Sequence, residues 1–289
     1  MNPTLQNRGV LITGGSSGIG LAVAKACVTA GADVTVCARS ADDLAAAQRD
    51  LESVKAPHQK VIAKVADISD ASAVEELVTV AVQEMPHFTG LVNCAAVLGP
   101  MGALDEIDFE AWIGTVQINL IGTARLCRSV LPHFRRQHYG KIVNFSGGGA
   151  TSPRPRFSAY AASKAAVVRL TENLAEELRG TGIDAYAVAP GAVNTRMLQE
   201  VLDAGPKQAG AAIYEDAVQQ KERGGTPPRK AADLCVALLS AESDGLTGRL
   251  LSAVWDPWPG LSQWKDKLSA TDVYTLRRIV PQDRGIVLE

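Results

Sequence analysis

The sequence predicts an α/β fold: one doubly wound parallel sheet flanked by helices on both faces, a single domain over residues 1–253 that runs on into a C-terminal extension, 254–289. Two observations predict it. Short β-branched runs alternate with longer helical patterns, and such alternation implies βαβ units. The runs are continuously apolar instead of alternating apolar and polar, as strands covered on both faces should be.

The elements follow in order. GVLITG, from Gly9, leads into a helix over 18–30; DVTVCA (33–38) into one over 41–54; KVIAKV (60–65) into one over 70–85. GLVNCA (90–95) precedes a helix over 105–137, and KIVNFS (141–146) one over 158–179. IDAYAV (183–188) is followed by a long polar segment and a helix near 228–241, and LTGRLLSAV (246–254) supplies the last strand. No Gly-, Pro- and Ser-rich linker divides the chain, and no internal repeat is seen, so one domain is the economical reading. Two stretches fall outside the alternation: 195–227 and the tail 254–289. Segments of that kind often carry specificity on an α/β scaffold. The tail holds Trp255, Trp258 and Trp264, whose apolar area favours docking over disorder.

Composition excludes several classes. With a net charge of −2 and mixed signs throughout, the chain lacks the basic face of a nucleic-acid binder. Charges such as Lys25 and Arg39 interrupt every apolar run short of the roughly 20 residues that cross a bilayer. The opening MNPTLQNRGVLITGG lacks the regions of a signal peptide. The expectation is a soluble, cytoplasmic protein without nucleic-acid or membrane partners. Cys27, Cys37, Cys94, Cys127 and Cys235 are odd in number and widely spaced, with no clustered His, so no metal site is expected.

VLITGGSSGIG sets Gly14, Gly15, Gly18 and Gly20 between the first strand and its helix. Glycine there permits a tight turn and lets backbone N–H groups approach a pyrophosphate at the helix N-terminus. At the first strand–helix junction of an alternating chain, the pattern points to a dinucleotide. The second strand ends Ala38-Arg39-Ser40. An acidic residue there would accept from a ribose 2′-OH and repel a 2′-phosphate, whereas Arg39 offers that phosphate a planar, charged donor, so NADP is favoured over NAD.

Tyr160 and Lys164 are four apart, hence on one helix face. A phenol that ordinarily titrates near pH 10 is a poor base, and a nearby ammonium favours the phenolate. The pair therefore reads as a proton donor and acceptor tuned toward working pH.

Taken in order, TGGSSGIG, Asp67 in VADIS, NCAA at 93–96, Asn119 in INLIG, YAASK at 160–164 and APGAVNT at 189–195 make the chain, over residues 8–252, resemble the short-chain dehydrogenase/reductase family in its compact single-domain form. The resemblance implies a Rossmann-type fold, a nicotinamide cofactor, a small-molecule carbonyl or alcohol substrate, and a homodimer or homotetramer. It implies that Gly14, Ser16, Ser17, Gly18, Ile19, Gly20 and Arg39 bind the cofactor. Asp67 and Ile68 would flank the adenine, Asn93 and Ala95 the adenosine and ribose, and Pro190, Gly191, Val193 and Thr195 the nicotinamide. Tyr160 would exchange the proton, Lys164 would hold the nicotinamide ribose, and Asn119 would hold a water linking Lys164 to solvent. Residues 195–227 would form a mobile lid. Ala96 replaces the last glycine of the usual N-A-A-G, and Ser17 stands where many NADP-using relatives carry a second basic residue.

The family's serine usually lies thirteen residues before its tyrosine, and there this chain has Gly147, with Ser146 one residue earlier. Neighbouring side chains on a strand point to opposite faces. Three readings stand open. The glycines of SGGG shift Ser146 into the serine's place; or Gly147 replaces the serine and Thr151, Ser152, a backbone N–H or the substrate donates instead; or turnover is lost. The function expected is an NADP-dependent oxidoreductase, with NAD possible, acting on a small polar, sugar-like or acidic ketone or secondary alcohol. The alternatives are a nucleotide-binding regulatory or scaffold protein with a vestigial site, and a cofactor-recycling epimerase or dehydratase. Arg154 and Arg156 would either meet an anionic substrate or stand in solvent, and Arg277, Arg278 and Arg284 of the tail could meet a carboxylate or phosphate.

Overall fold

The computed structural model describes residues 4–287; the first three residues and the last two of the extension lie outside it. In chain order come β1 (Gly9–Thr13), α1 (Gly18–Thr29), β2 (Asp33–Ala38), α2 (Ala41–Glu52), β3 (Val61–Val65), α3 (Ala71–Glu84), β4 (Phe88–Asn93), α4 (Phe109–Val116), α5 (Thr123–Gln137), β5 (Gly140–Phe145) and α6 (Ser158–Glu177). There follow β6 (Ile183–Ala189), α7 (Arg196–Ala209), α8 (Ala211–Arg223), α9 (Pro228–Leu239), β7 (Arg249–Ser252) and α10 (Leu261–Ser269).

The seven strands form one parallel sheet in the order β3-β2-β1-β4-β5-β6-β7. Successive residues of one strand feed opposite cores. Val10 and Ile12 of β1 pack with Val23 and Cys27 of α1 and Leu234 and Leu238 of α9. Leu11, between them, packs with Leu77 of α3 and Leu126 and Phe134 of α5. This double covering is why the strands read as unbroken apolar runs. The order reverses between β1 and β4, and at such a switch point the carboxyl ends of the strands open a crevice.

Helix starts follow local chemistry. Ser40 accepts from the Asp43 N–H at 3.3 Å, Asp70 from Ser72 at 2.7 Å, and Asp108 from Glu110 at 2.9 Å. Each fills an orphan donor of a first turn.

The helix expected over 105–137 is divided. Asp108 begins α4, and residues 117–122 make a wide π turn before α5. Within that turn Gly122 backs onto Ile68, and the Asn119 side chain is drawn out to the backbone of Val97. Interior contacts of this kind are a usual cause of a π turn, and they leave no mark in periodicity. The last strand is also shorter than LTGRLLSAV, since Gly248 sits at φ +70° and the Ser252 N–H turns to Asp256 at 2.6 Å.

The tail docks on its own chain. Trp258, Leu261, Leu268 and Tyr274 join the core on the α1 and α9 side. The Leu250 N–H of β7 donates to the Tyr274 carbonyl at 2.8 Å, and Arg249 donates to the carbonyls of Leu268 and Val273. The edge of the sheet is thereby covered. Arg277 pairs with Asp272 and Asp283, each at 2.6 Å, within the tail itself.

Candidate active site

The glycine turn closes on itself. Gly14 and Gly18 hold φ of +66° and +53°, and a side chain at Gly20 would run into the Gly14 carbonyl. Only residues without Cβ sit in such a turn without strain. The first turn of α1 carries no acidic residue, and the Ser17 hydroxyl does not cap it. Its N–H groups therefore face outward at the positive end of the helix dipole, as a pyrophosphate demands. Thr13 accepts from the Cys94 and Ala95 N–H groups, both at 3.1 Å, and brings Ala95 against Gly14.

The other residues expected at a dinucleotide are placed as follows. Arg39 is exposed just past β2 and belongs to no ion pair among the described residues, while Ile68 is buried. One Asp67 oxygen accepts from the Ser69 N–H and hydroxyl at 2.8 and 2.7 Å. Asn93 ends β4 and donates to the Asn144 side chain at 2.8 Å, leaving its own Oδ1 without a partner. After β6, the loop with Pro190, Gly191 and Val193 ends at Thr195, whose methyl lies 3.5 Å from the Cβ position of Gly18. Backbone donors, an exposed cation and an open turn at a strand-order switch thus fit a dinucleotide.

Tyr160 and Lys164 sit in the first two turns of α6, both buried. The Lys164 ammonium donates to the Phe145 carbonyl at 2.8 Å and lies 5.8 Å from the Tyr160 ring centre. Burial lowers Lys164 to about 8. Tyr160 moves against the sequence-based expectation: burial raises its phenol to about 12, and the opposing positive charge is Arg154. Burial outweighs the cations around the ring, and the Lys164 ammonium is engaged by a strand carbonyl. Asn119 spends its amide on the Val97 N–H and C=O, both at 2.9 Å, and donates to Ser163 at 3.1 Å. It therefore ties the β4 loop to α6 one residue before Lys164.

Gly147, not Ser146, lies against the Tyr160 hydroxyl: a Cβ built on Gly147 would strike that oxygen. Ser146 extends the strand, its N–H donating to the Val188 carbonyl at 2.8 Å, and the residue is buried. The loop has absorbed no extra residue that would carry Ser146 to the phenol. Replacing Gly147 with Ala should displace the Tyr160 ring and lower turnover about 10²-fold, the size of effect a displacement of about 1 Å can have. Steady-state kinetics check this, with circular dichroism as the folding control.

Tyr160 also belongs to a small apolar cluster with Leu98, Phe157, Val201, Ala209 and Ala217, backed by Met101 and Met197. Helices α7 and α8 therefore roof the site. Arg156 fastens that roof, donating to the Lys207 carbonyl at 2.9 Å.

The model of the short chain dehydrogenase family matches residues 8–205. The chain belongs to that family. A short chain dehydrogenase of Pseudocercospora fijiensis is 34% identical over 90% of this chain and 84% of its own length. A 2-(S)-hydroxypropyl-CoM dehydrogenase of Xanthobacter autotrophicus is 32% identical over 86% of this chain and 95% of its own. The crystal structure of levodione reductase superposes with a TM-score of 0.79 at 29% identity, covering 90% of this chain and 99% of that one. Short-chain dehydrogenases are oxidoreductases that act on small molecules, between alcohol and ketone, with NAD(P). Among the described residues of this member, no helix is long and apolar enough to cross a membrane.

The sequence did not reveal the Arg154 guanidinium over the glycine loop, the part of Ser163 in holding Asn119, or the Arg156 clasp on the roof. The only signal for the first was the pair of arginines in SPRPRF.

Proposed function

We propose that this short-chain dehydrogenase interconverts a ketone and a secondary alcohol on a small polar substrate, prefers NADP to NAD, and works without the family's serine. One observation carries the reading: the Tyr160 hydroxyl faces a bare glycine in the crevice that the glycine turn borders, with Lys164 one turn further along the helix. Tyr160 gives its proton to the carbonyl oxygen or takes it from the alcohol. Lys164 is poised between charged and neutral forms and holds the ribose hydroxyls, and Asn119 keeps the loop and α6 in register for both. Bound in the crevice, the nicotinamide supplies or accepts the hydride. Gly14, Ser16, Ser17, Gly18, Ile19, Gly20, Asp67, Ile68, Asn93, Ala95, Pro190, Gly191, Val193 and Thr195 would hold the dinucleotide. Ser146 has no part in the chemistry, and α7 and α8 serve as the lid. The exposed Leu104, Phe109 and Ile113 support assembly into a homo-oligomer.

Arg39 supports NADP, because a charged donor without a carboxylate partner at the end of β2 would hold a 2′-phosphate. Arg39→Ala should weaken NADPH about tenfold or more and leave NADH within about twofold, as loss of a charged hydrogen bond implies. Fluorescence titration with both cofactors checks it, and an equal effect on the two would remove the preference. The oxidoreductase reading is tested with a broad panel of ketones and NADPH: turnover by the wild-type protein supports it. Tight cofactor binding with no turnover of any compound would favour a nucleotide-binding regulator instead.

A further inference from the structure

Gly147 brings no hydroxyl to the Tyr160 phenol, yet the site is not without a donor. The loop after β5 runs Gly147-Gly148-Gly149, and the Arg154 side chain folds back over it: a Cβ on Gly148 would meet Nη1, and one on Gly149 would stand 3.1 Å from the Arg154 Cβ. The glycines make room for the arginine as well as for the phenol. The guanidinium lies over the Phe157 ring, its carbon 4.7 Å from the ring centre. Its Nε is buried without a hydrogen-bond partner, and no carboxylate among the described residues pairs with it. Phe157 and Tyr160 themselves belong to the apolar wall that includes Leu98 and Val201.

A half-buried cation without a carboxylate partner among the described residues, set beside an apolar wall, is complemented by an anion. A planar carboxylate matches its fork of donors best. Arg156, the other arginine of the loop, is occupied with the Lys207 carbonyl. The charge of Arg154 also opposes the rise of the Tyr160 phenol, and the adjacent Gly147 and Gly148 face the phenol and the guanidinium in turn.

We propose that Arg154 is an anion-recognising residue of this site and selects substrates that carry a carboxylate close to the reacting carbonyl or carbinol carbon. The proposal rests on the reading that the Tyr160 crevice is where substrate binds. A keto acid would enter with its carboxylate on Arg154 and its carbonyl oxygen at Tyr160, in the space that a serine would have shared.

The test uses trifluoroacetate as the anion and the full chain saturated with NADP+ or NAD+, at constant ionic strength, followed by fluorine NMR. Wild type should bind it saturably, with acetate competing. Arg154→Gln should weaken binding about tenfold to a hundredfold, the range for a charged hydrogen bond; Arg154→Lys should keep part of the affinity, and the remote Arg229→Gln all of it. Unchanged cofactor affinity shows that the variants are folded. In turnover, wild type should prefer a keto acid to its methyl ester, and Arg154→Gln should remove that preference. Equal trifluoroacetate affinity in wild type and Arg154→Gln, or no saturable binding by wild type, overturns the proposal. Because binding needs no turnover, the two readings fail separately. Arg154-dependent binding without reduction of any carbonyl sinks the oxidoreductase reading alone; Tyr160-dependent reduction without such binding sinks the anion site alone.

Discussion

Tyr160→Phe is expected to remove carbonyl reduction, by about 10² to 10⁴-fold or more, while cofactor affinity stays within about twofold. The phenol is the titratable hydroxyl that faces Gly147, whereas Thr151 and Ser152 of the loop are exposed. Phe keeps the ring in the cluster with Leu98, Phe157 and Val201, so packing is conserved and only the proton donor is lost. Kinetics and a cofactor titration on the same preparations separate chemistry from binding. Residual activity near the wild-type level would mean that the proton comes from elsewhere.

Lys164→Met should abolish turnover as well, and with an unusual signature in stability. Burial lowers the ammonium from 10.5 to about 8, so at neutral pH the native state keeps a charge it holds less favourably than the unfolded chain does. The displacement corresponds to a penalty of about 3 kcal/mol, at 1.36 kcal/mol per unit. The sign follows from protons bound. Between about 8 and 10.5 the unfolded lysine holds its proton while the native one has released it, so the Lys164 contribution to stability rises with pH across that window and the penalty is full below it. Met carries no such penalty but strands the Phe145 carbonyl, which costs about 1 to 3 kcal/mol. The variant should therefore match or slightly exceed wild type in urea unfolding at pH 7 and fall below it by pH 10. A constant difference across that range would show that Lys164 is not held as a desolvated ammonium.

Much of this site was legible in the sequence, because it depends on local spacing. The strand–helix alternation, the glycine turn at the first junction and the four-residue step from Tyr160 to Lys164 are fixed by neighbours in the chain, and periodicity reports neighbours well. What the sequence concealed depends on approach between distant segments. The wide turn at 117–122 arises because Asn119 reaches Val97 and Gly122 meets Ile68. The rise of the Tyr160 phenol comes from burial among distant segments, opposed by an Arg154 that folds back over three glycines. Likewise the tryptophans of the tail announced docking, but not that Tyr274 would cover the open edge of β7. Family spacing pointed to Gly147 and strand alternation cast doubt on Ser146; only the fold puts the bare glycine against the phenol.

The central claim is hydride and proton transfer at a short-chain dehydrogenase site that lacks its serine. It is tested most directly by incubating the protein with NADPH deuterated at C4 and a panel of ketones and keto acids, then following the label by mass spectrometry. Deuterium on the carbinol carbon of a product, with none formed by Tyr160→Phe, is the predicted result. No label transferred to any member of the panel by cofactor-saturated wild-type protein would contradict it.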